Sequence, residues 1–571
     1  LLVAGSRSQQ PAANCHDPSG GFLVIGRWSL VVGGKCQEPT ARTEVVPEKA
    51  WDSATGSAAN NQQPTTNNRP ELVRATRLSM TSVSQNSNFI PPPPGEFLGH
   101  PRPLWMLFGA EFWERFSYYG MRALLAVYVA TTFFSLLPEG EAKAQASLTY
   151  GAYTALIYAT GLFGGFVADR YLGYRPSILL GGALMALGLF LLLIPELTWF
   201  LIGLSVIVVG NGLFKPNISA MVGQLYAPDD ARRDSGFTIF YMGINAGAMV
   251  APLICVSLIG KYFGLKWGFA TAGVGMILGL VVFHWLSGWL GHIGAALQPA
   301  ENINRLLKVA LGCAAAVPVV YLMLSQAKLV SFILMGVFVL LTIYFVASGI
   351  KSGDRVQLDR YIAMLLLFLA KIVFWGMFEQ AGSSLNFFAK DHVNAPFDFA
   401  AFQSFNPLFI LLLGPVFAWA WPRLEARGLN PSIPRKFALA LILVAIGFST
   451  LVWTIGHLQG ADGKLPWEML ALAYLINTMG ELCLSPIGLS MVTKLAAPKD
   501  VGMAMGAWFM CTAIGNSTAG HVAAVAVSGS GTTGLDQYAS TYTLIAYAGF
   551  GLGAVLLFGA PLVNRLMHGV K

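Results

Sequence analysis

The stretch LWMLFGAEFWERFSYYGMRALLAVYVA, residues 104–130, decides how the chain is read. It is apolar and long enough to cross a bilayer, yet it carries Glu111, Glu114, Arg115 and Arg122 in its interior. A charge at the centre of a membrane helix costs about 2.5–3.5 kcal/mol even on mild insertion scales, so such residues face protein or water and mark a path for ions or substrate. Steps of three and four place Glu111, Glu114, Arg115 and Tyr118 on one side of a helix, and Arg122, seven beyond Arg115, returns to that side. Lipid then meets the other face. A Glu111–Arg115 pair that merely pins two helices together is the simpler alternative, but it has no use for a second carboxylate and a second guanidinium.

Outward from this stretch, composition sets the class. Of 571 residues 55% are apolar and 11% charged, too hydrophobic for an ordinary soluble chain and far too long for one anchor. The net charge of +8 does not imply nucleic acid, because Lys and Arg sit in short loops between apolar runs. Cys255, Cys313, Cys483 and Cys511 fall in apolar segments and Cys15 and Cys36 in the leading tail, with no metal or disulfide spacing. No H-E-x-x-H or G-x-S-x-G occurs in the spans, which argues against a membrane enzyme. A sensor built on the same fold would need a sizeable soluble domain, and the leading tail is a poor candidate.

Residues 1–100 lack helical periodicity and carry biased patches such as ANNQQPTTNN and PPPPGE, so a disordered tail is expected. Met80 opens MTSVSQNSNFI, and residues 1–79 are expected to lie outside the mature protein; native peptides that precede Met80 would overturn this. About fourteen apolar spans follow, near 105–133, 148–168, 176–195, 198–225, 236–260, 267–291, 307–325, 328–350, 360–388, 402–421, 437–456, 467–493, 503–527 and 540–564. The expected architecture is an all-α polytopic membrane protein with a six-helix bundle over 101–295, a peripheral two-helix hairpin over 300–352 and a second six-helix bundle over 356–571. Such halves rock about a cavity at their interface. One alternate set of loops is rich in Lys and Arg, from Arg170 and Arg175 to Lys494 and Lys499; the other carries only Lys143, Lys261, Lys266, Lys328, Lys390 and Lys464. The positive-inside rule then puts both termini in the cytoplasm.

EFWERFSYYGMR resembles the first-helix motif E-x-x-E-R-F-x-Y-Y-G of the proton-dependent oligopeptide transporters, a family of the major facilitator superfamily. GGFVADRYLGYR, GNGLFKPNISAMVG, FTIFYMGINAGAMVAP, FWGMFEQAGSSL, FNPLFILLLGPVFAW and NTMGELCLSPIGLSMVTKLAAP resemble further family segments in the same order, from about residue 100 to the end. The extra hairpin, the short GHLQGADGKLPWE loop and a second helix without the histidine important in animal members resemble the prokaryotic type. VGQLY departs from relatives that carry an acidic residue near the Gln.

The resemblance implies a proton-coupled symporter that imports di- and tripeptides across the inner membrane, expected to work as a monomer, with the proton as coupling ion and no cofactor or metal. Another small solute on the same fold, nitrate or a peptide-like drug, is the alternative. Arg115, Arg122 and Lys215 lie in the first half and Glu379 and Glu481 in the second, opposite poles that match a zwitterionic peptide. By resemblance, Arg122 and Lys215 meet its carboxylate, Glu481 its amine, and Asn245 and Asn406 its termini or backbone. Tyr118, Tyr119, Tyr158 and Trp508 would line side-chain pockets. Glu111, Glu114, Arg115, Lys215 and Glu379 would couple the proton. Arg122 with Glu379 would close the outer side and Lys215 with Glu481 the inner side. Asp169 and Arg170 read as conformational latch residues. Lys371 and His284 fall inside spans and receive no role, since a lysine can snorkel and a lone histidine commonly packs.

Overall fold

The computed structural model describes residues 21–25, 28–32, 92–93, 95–227, 230–295, 302–529 and 534–570. Apart from two short strands, Gly21–Ile25 and Trp28–Val32, the expectation for residues 1–79 lies outside the described residues. The tail ends before residue 100, because Glu96–Phe97 pairs antiparallel with His100–Pro101. His100 is buried against the hydroxyl of Tyr226 (2.8 Å), and Trp105 donates to the Phe97 carbonyl at 2.9 Å.

Fourteen helices of 18 residues or more follow among the described residues. The first bundle holds α1 (Arg102–Thr132), α2 (Glu139–Val167), α3 (Tyr174–Leu191), α4 (Leu197–Gln224), α5 (Arg233–Pro252) and α6 (Lys266–Leu286). The hairpin is α7 (Asn302–Ser325) and α8 (Ala327–Ser352). The second bundle holds α9 (Arg355–Phe378), α10 (Phe405–Ala426), α11 (Ile433–His457), α12 (Trp467–Leu495), α13 (Val501–Ala526) and α14 (Gly534–Leu566). Twelve of these contain an apolar window fit to cross a bilayer. The other two, α1 with its charges and α13 with Asn516, Ser517 and Thr518, are long enough but more polar.

Lipid supplies no hydrophobic drive between helices, so close packing through small residues joins them. In α3 and α4 the pairs Gly181–Gly210 and Gly188–Gly203 approach so closely that an added Cβ would fall within 2.5–2.9 Å of the opposite carbonyl oxygen. In the hairpin, α7 packs mainly on α4 and α8 mainly on α9 and α13. A buried carboxylate anchors α8: Asp500 accepts from the hydroxyls of Tyr344 (2.7 Å), Ser348 (3.0 Å) and Tyr361.

Two boundaries differ from the sequence reading. The second helix starts at Glu139 rather than near 148, because EGEAKAQ propagates a helix beyond the apolar run, aided by the Lys143–Glu139 pair at 2.5 Å. The span read as continuous over 360–388 breaks after Phe378 into a tighter turn, Glu379–Gly382, before a short helix Ser384–His392. Gln380 fastens that break, its side-chain amide donating to the carbonyls of Gly376 (3.0 Å) and Ala519 (3.1 Å) and its oxygen accepting from Ser384 (2.7 Å). Backbone groups freed inside a membrane need such partners.

Candidate functional site

On α1, Arg115 clasps Glu114 with two hydrogen bonds, one from Nη2 at 2.6 Å and one from Nε, and Nε also lies 3.4 Å from Glu111 Oε1. All three side chains are buried. Asn211 of α4 donates to Glu114 at 3.4 Å, and the second oxygen of Glu111 has no hydrogen-bond partner among the described residues. Two carboxylates face one guanidinium, so the cluster holds one more acid than base. Lys215, one turn beyond Asn211, places Nζ 4.3 Å from the centre of the Tyr158 ring. It forms no ion pair among the described residues.

Two turns along α1 from the glutamates, Arg122 reaches across the bundle interface. Its Nη2 is 2.7 Å from Glu379 Oε2 and its Nε donates to the Tyr150 hydroxyl at 2.5 Å; Tyr150 in turn donates to Glu379 at 3.2 Å. Three further contacts join the bundles toward the same end. Lys143 pairs with Asp391 at 2.7 Å, Asn386 donates to the Ala123 carbonyl at 3.0 Å, and Asn516 donates to the Thr154 carbonyl at 3.3 Å. Gly151 of α2 and Gly520 of α13 meet so closely that a Cβ on either would lie 2.6–2.8 Å from the other's Cα. This end of the interface is shut. The Lys215–Glu481 contact expected to close the opposite end is not made in this conformation: Glu481 instead accepts from Asn406 at 2.9 Å and forms no ion pair among the described residues.

Between the closed end and the glutamate cluster lies a cavity. The first bundle contributes Tyr119, Arg122 and Tyr158. The second contributes Trp375, Phe378, Glu379 and Ala381 around the α9 break, Gln403 and Asn406 at the start of α10, and Tyr474, Asn477, Thr478 and Glu481 on α12. The wall is aromatic, with a cation on one side and carboxylates and amides on the other. Of the substrate-binding residues expected from sequence, Tyr119, Arg122, Tyr158, Asn406 and Glu481 line it. Tyr118 packs beside Tyr119 with Arg115 5.1 Å from its ring centre, Asn245 donates to the Tyr241 carbonyl at 2.9 Å, and Lys215 stands next to Tyr158. Trp508 is away from the cavity, buried in the second bundle. Asp169 accepts from the Tyr174 hydroxyl at 2.7 Å.

Sequence reasoning missed Tyr150, Trp375, Gln403, Tyr474, Asn477 and Thr478. The last three were legible, because with Glu481 they follow steps of three and four along one helix face. Tyr150, Trp375 and Gln403 had no such signal. Among the described residues no His, Cys, Asp and Glu cluster is arranged for a metal ion.

Two helical bundles around a buried cavity lined by both, with ionisable groups deep in membrane helices, define a polytopic membrane carrier. The family model described as "POT family" matches residues 175–542. The peptide transporter of Yersinia enterocolitica is 36% identical over 505 residues, 83% of this chain and 97% of that protein. A di-/tripeptide transporter of Lactococcus lactis is 38% identical over 444 residues, 72% of this chain and 87% of its own. The crystal structure of a peptide transporter POT variant in complex with alafosfalin superposes with a TM-score of 0.71 at 37% identity, covering 84% of this chain and 98% of that one. A POT family transporter in complex with 5-aminolevulinic acid superposes equally well, TM-score 0.71 at 31% identity over 83% and 99% of the two chains. The chain belongs to the POT family.

Proposed function

We propose that this protein is a proton-coupled symporter that imports di- and tripeptides across the cytoplasmic membrane, as a monomer with both termini inside. One observation carries the reading of the substrate: Glu481 in the cavity and Lys215 beside the cavity residue Tyr158 are half-buried ionisable groups of opposite sign on opposite bundles, and neither has an ionic partner among the described residues. A small peptide brings an ammonium and a carboxylate at its two ends and completes both. A bare anion would have no use for Glu481. Tyr119, Tyr158, Trp375 and Tyr474 offer apolar rings that accept varied side chains.

With this orientation the closed end is the outer one and Arg122–Glu379 is its gate, so the conformation faces inward. Return to the outward-facing state requires the Arg122–Glu379 and Lys143–Asp391 pairs to part and Lys215 to approach Glu481. A protonated Glu379 or a peptide carboxylate at Arg122 would break the first pair and bias the rocking equilibrium. A zwitterion carries no net charge, so the membrane potential alone cannot concentrate it. One proton moved through about 100 mV supplies about 2.3 kcal/mol, roughly fifty-fold accumulation. Glu111 and Glu114, two acids against one base, are where we place the coupling site, with Arg115, Lys215 and Glu379 tuning it.

A second reading keeps the carrier and changes the cargo to nitrate or a peptide-like drug; the alafosfalin complex of a relative favours attention to the latter. The test is uptake of labelled dialanine into proteoliposomes under an inside-negative potential and inward proton gradient, with counterflow measured in parallel. Wild type is expected to accumulate peptide, and Glu114→Gln to lose accumulation and keep counterflow. A folded wild type with neither activity refutes the peptide assignment.

A further inference from the structure

Lys371 sits in the middle of α9, eight residues before Glu379, or about 12 Å along the helix axis. It does not snorkel: only 2% of it is exposed, and it is among the largest fully buried side chains. No carboxylate pairs with it among the described residues. Its Nζ lies 3.4 Å from the centre of the Trp508 ring and donates to the Trp508 carbonyl. One tryptophan therefore meets the Lys371 amino group with both its ring face and its backbone carbonyl, and its ring is turned away from the cavity. A buried ammonium without an anion is costly, and an ionisable group at membrane depth is a functional candidate by default.

Trp508 connects Lys371 to α12. Its ring fills the notch left by Gly488, where a Cβ would fall 1.9 Å from the indole, and it packs beside Phe368 of α9 and Phe437 of α11. Gly488 lies two residues past Pro486, which sits inside α12. Proline has no N–H to give the Leu482 carbonyl, so α12 is weakened between Glu481 in the cavity and its last turns, Gly488–Leu495. The indole bears on those turns just beyond the weak point.

We propose that Lys371 is a positioning residue for the inner gate: it holds Trp508 against Gly488 so that the cytoplasmic part of α12 swings about Pro486 together with α13. The proposal rests on the inward-facing transporter reading above. Lys371 touches no substrate; it acts through Trp508, and its loss leaves the binding residues in place while the gate helices move out of step.

The test compares Lys371→Met, Trp508→Phe and the double variant with wild type in proteoliposomes. Peptide counterflow gives KM and turnover, and nitroxide pairs at Ala426 and Thr493, in a background with the native cysteines replaced, give the distance distribution across the cytoplasmic ends of α10 and α12. Either single variant is expected to lower turnover about tenfold with KM unchanged and to broaden the distance distribution. The double variant should be no worse than the worse single. Lys371→Met replaces a buried amino group that pairs with no carboxylate among the described residues by an apolar chain of similar length, so its thermal midpoint should equal or exceed that of wild type, which separates positioning from simple loss of structure. Wild-type turnover with an unchanged distribution overturns the proposal, as do multiplying losses in the double variant, or a raised KM without broadening. A wild type that moves no peptide refutes the transport reading, and the spin-label distances alone still decide the role of Lys371.

Discussion

Replacing Gly151 by Ala should open the closed end of the bundle interface without touching any ligand. In the closed interface the new Cβ would sit 2.6 Å from Gly520 Cα, 3.0 Å from its nitrogen and 3.1 Å from the Asn516 carbonyl oxygen. Carbon atoms rest about 3.5–4.0 Å apart, so α2 and α13 must separate by roughly 1 Å against backbone, which has no rotamer to yield. Overpacking of this kind costs about 1–3 kcal/mol. The cost falls only on conformations in which the two helices touch here, and it vanishes when the bundles part. A penalty of about 2 kcal/mol moves the equilibrium about thirty-fold, enough to turn a nine-to-one preference for the closed interface into roughly one to three. Nitroxides at Glu141 on α2 and Asp536 on α14 would report it, since both side chains are exposed on opposite bundles at this end. The expected result is growth of the longer distance in Gly151→Ala and again in Gly520→Ala. Gly161→Ala, also on α2 but with nothing within 4 Å of its Cβ, is the control and should change nothing. A folded Gly151→Ala protein with the wild-type distribution would refute the steric argument.

Glu481→Gln should weaken dialanine in counterflow competition by about ten- to a hundredfold, the worth of a charge-assisted hydrogen bond, while N-acetylated dialanine changes little; equal losses for both peptides would remove Glu481 from the amine site. Tyr150→Phe leaves the Arg122 Nε and one bond to Glu379 unmet, so the closed end should lose about 1–3 kcal/mol; if that end is the outer one, as proposed, labelling from the outside of a cysteine placed at Tyr119 increases. Asp500→Leu strands the hydroxyls of Tyr344, Ser348 and Tyr361 and should lower the thermal midpoint more than Lys351→Leu, at the exposed end of the same hairpin helix; an unchanged midpoint would deny that the hairpin is anchored there.

Much of this was legible in one dimension because its cause is local. Whether a segment crosses a membrane depends on its own hydropathy and length, so twelve of the fourteen helices, the hairpin among them, could be read directly, and charged residues in α1, α4 and α12 stood out against apolar neighbours. Tyr474, Asn477 and Thr478 share the period of Glu481 and belong to the same legible class. Where local propensity outran hydropathy, as at Glu139, or where a polar EQAGSS run broke a helix, the boundaries moved.

Tertiary structure alone decided which charges meet and which side chains see the cavity. Arg122 and Glu379 are 257 positions apart, and Tyr150 joins them from another helix, a coincidence set by how two bundles dock. The same docking shut one end through Gly151 and Gly520 and left Lys215 and Glu481 apart. It also turned Trp508 toward Lys371 instead of the cavity. A helix sequence fixes the angular order of its side chains, but its rotation and tilt against neighbours follow from the packing of all the others, and a few tens of degrees separate a wall residue from a buried one.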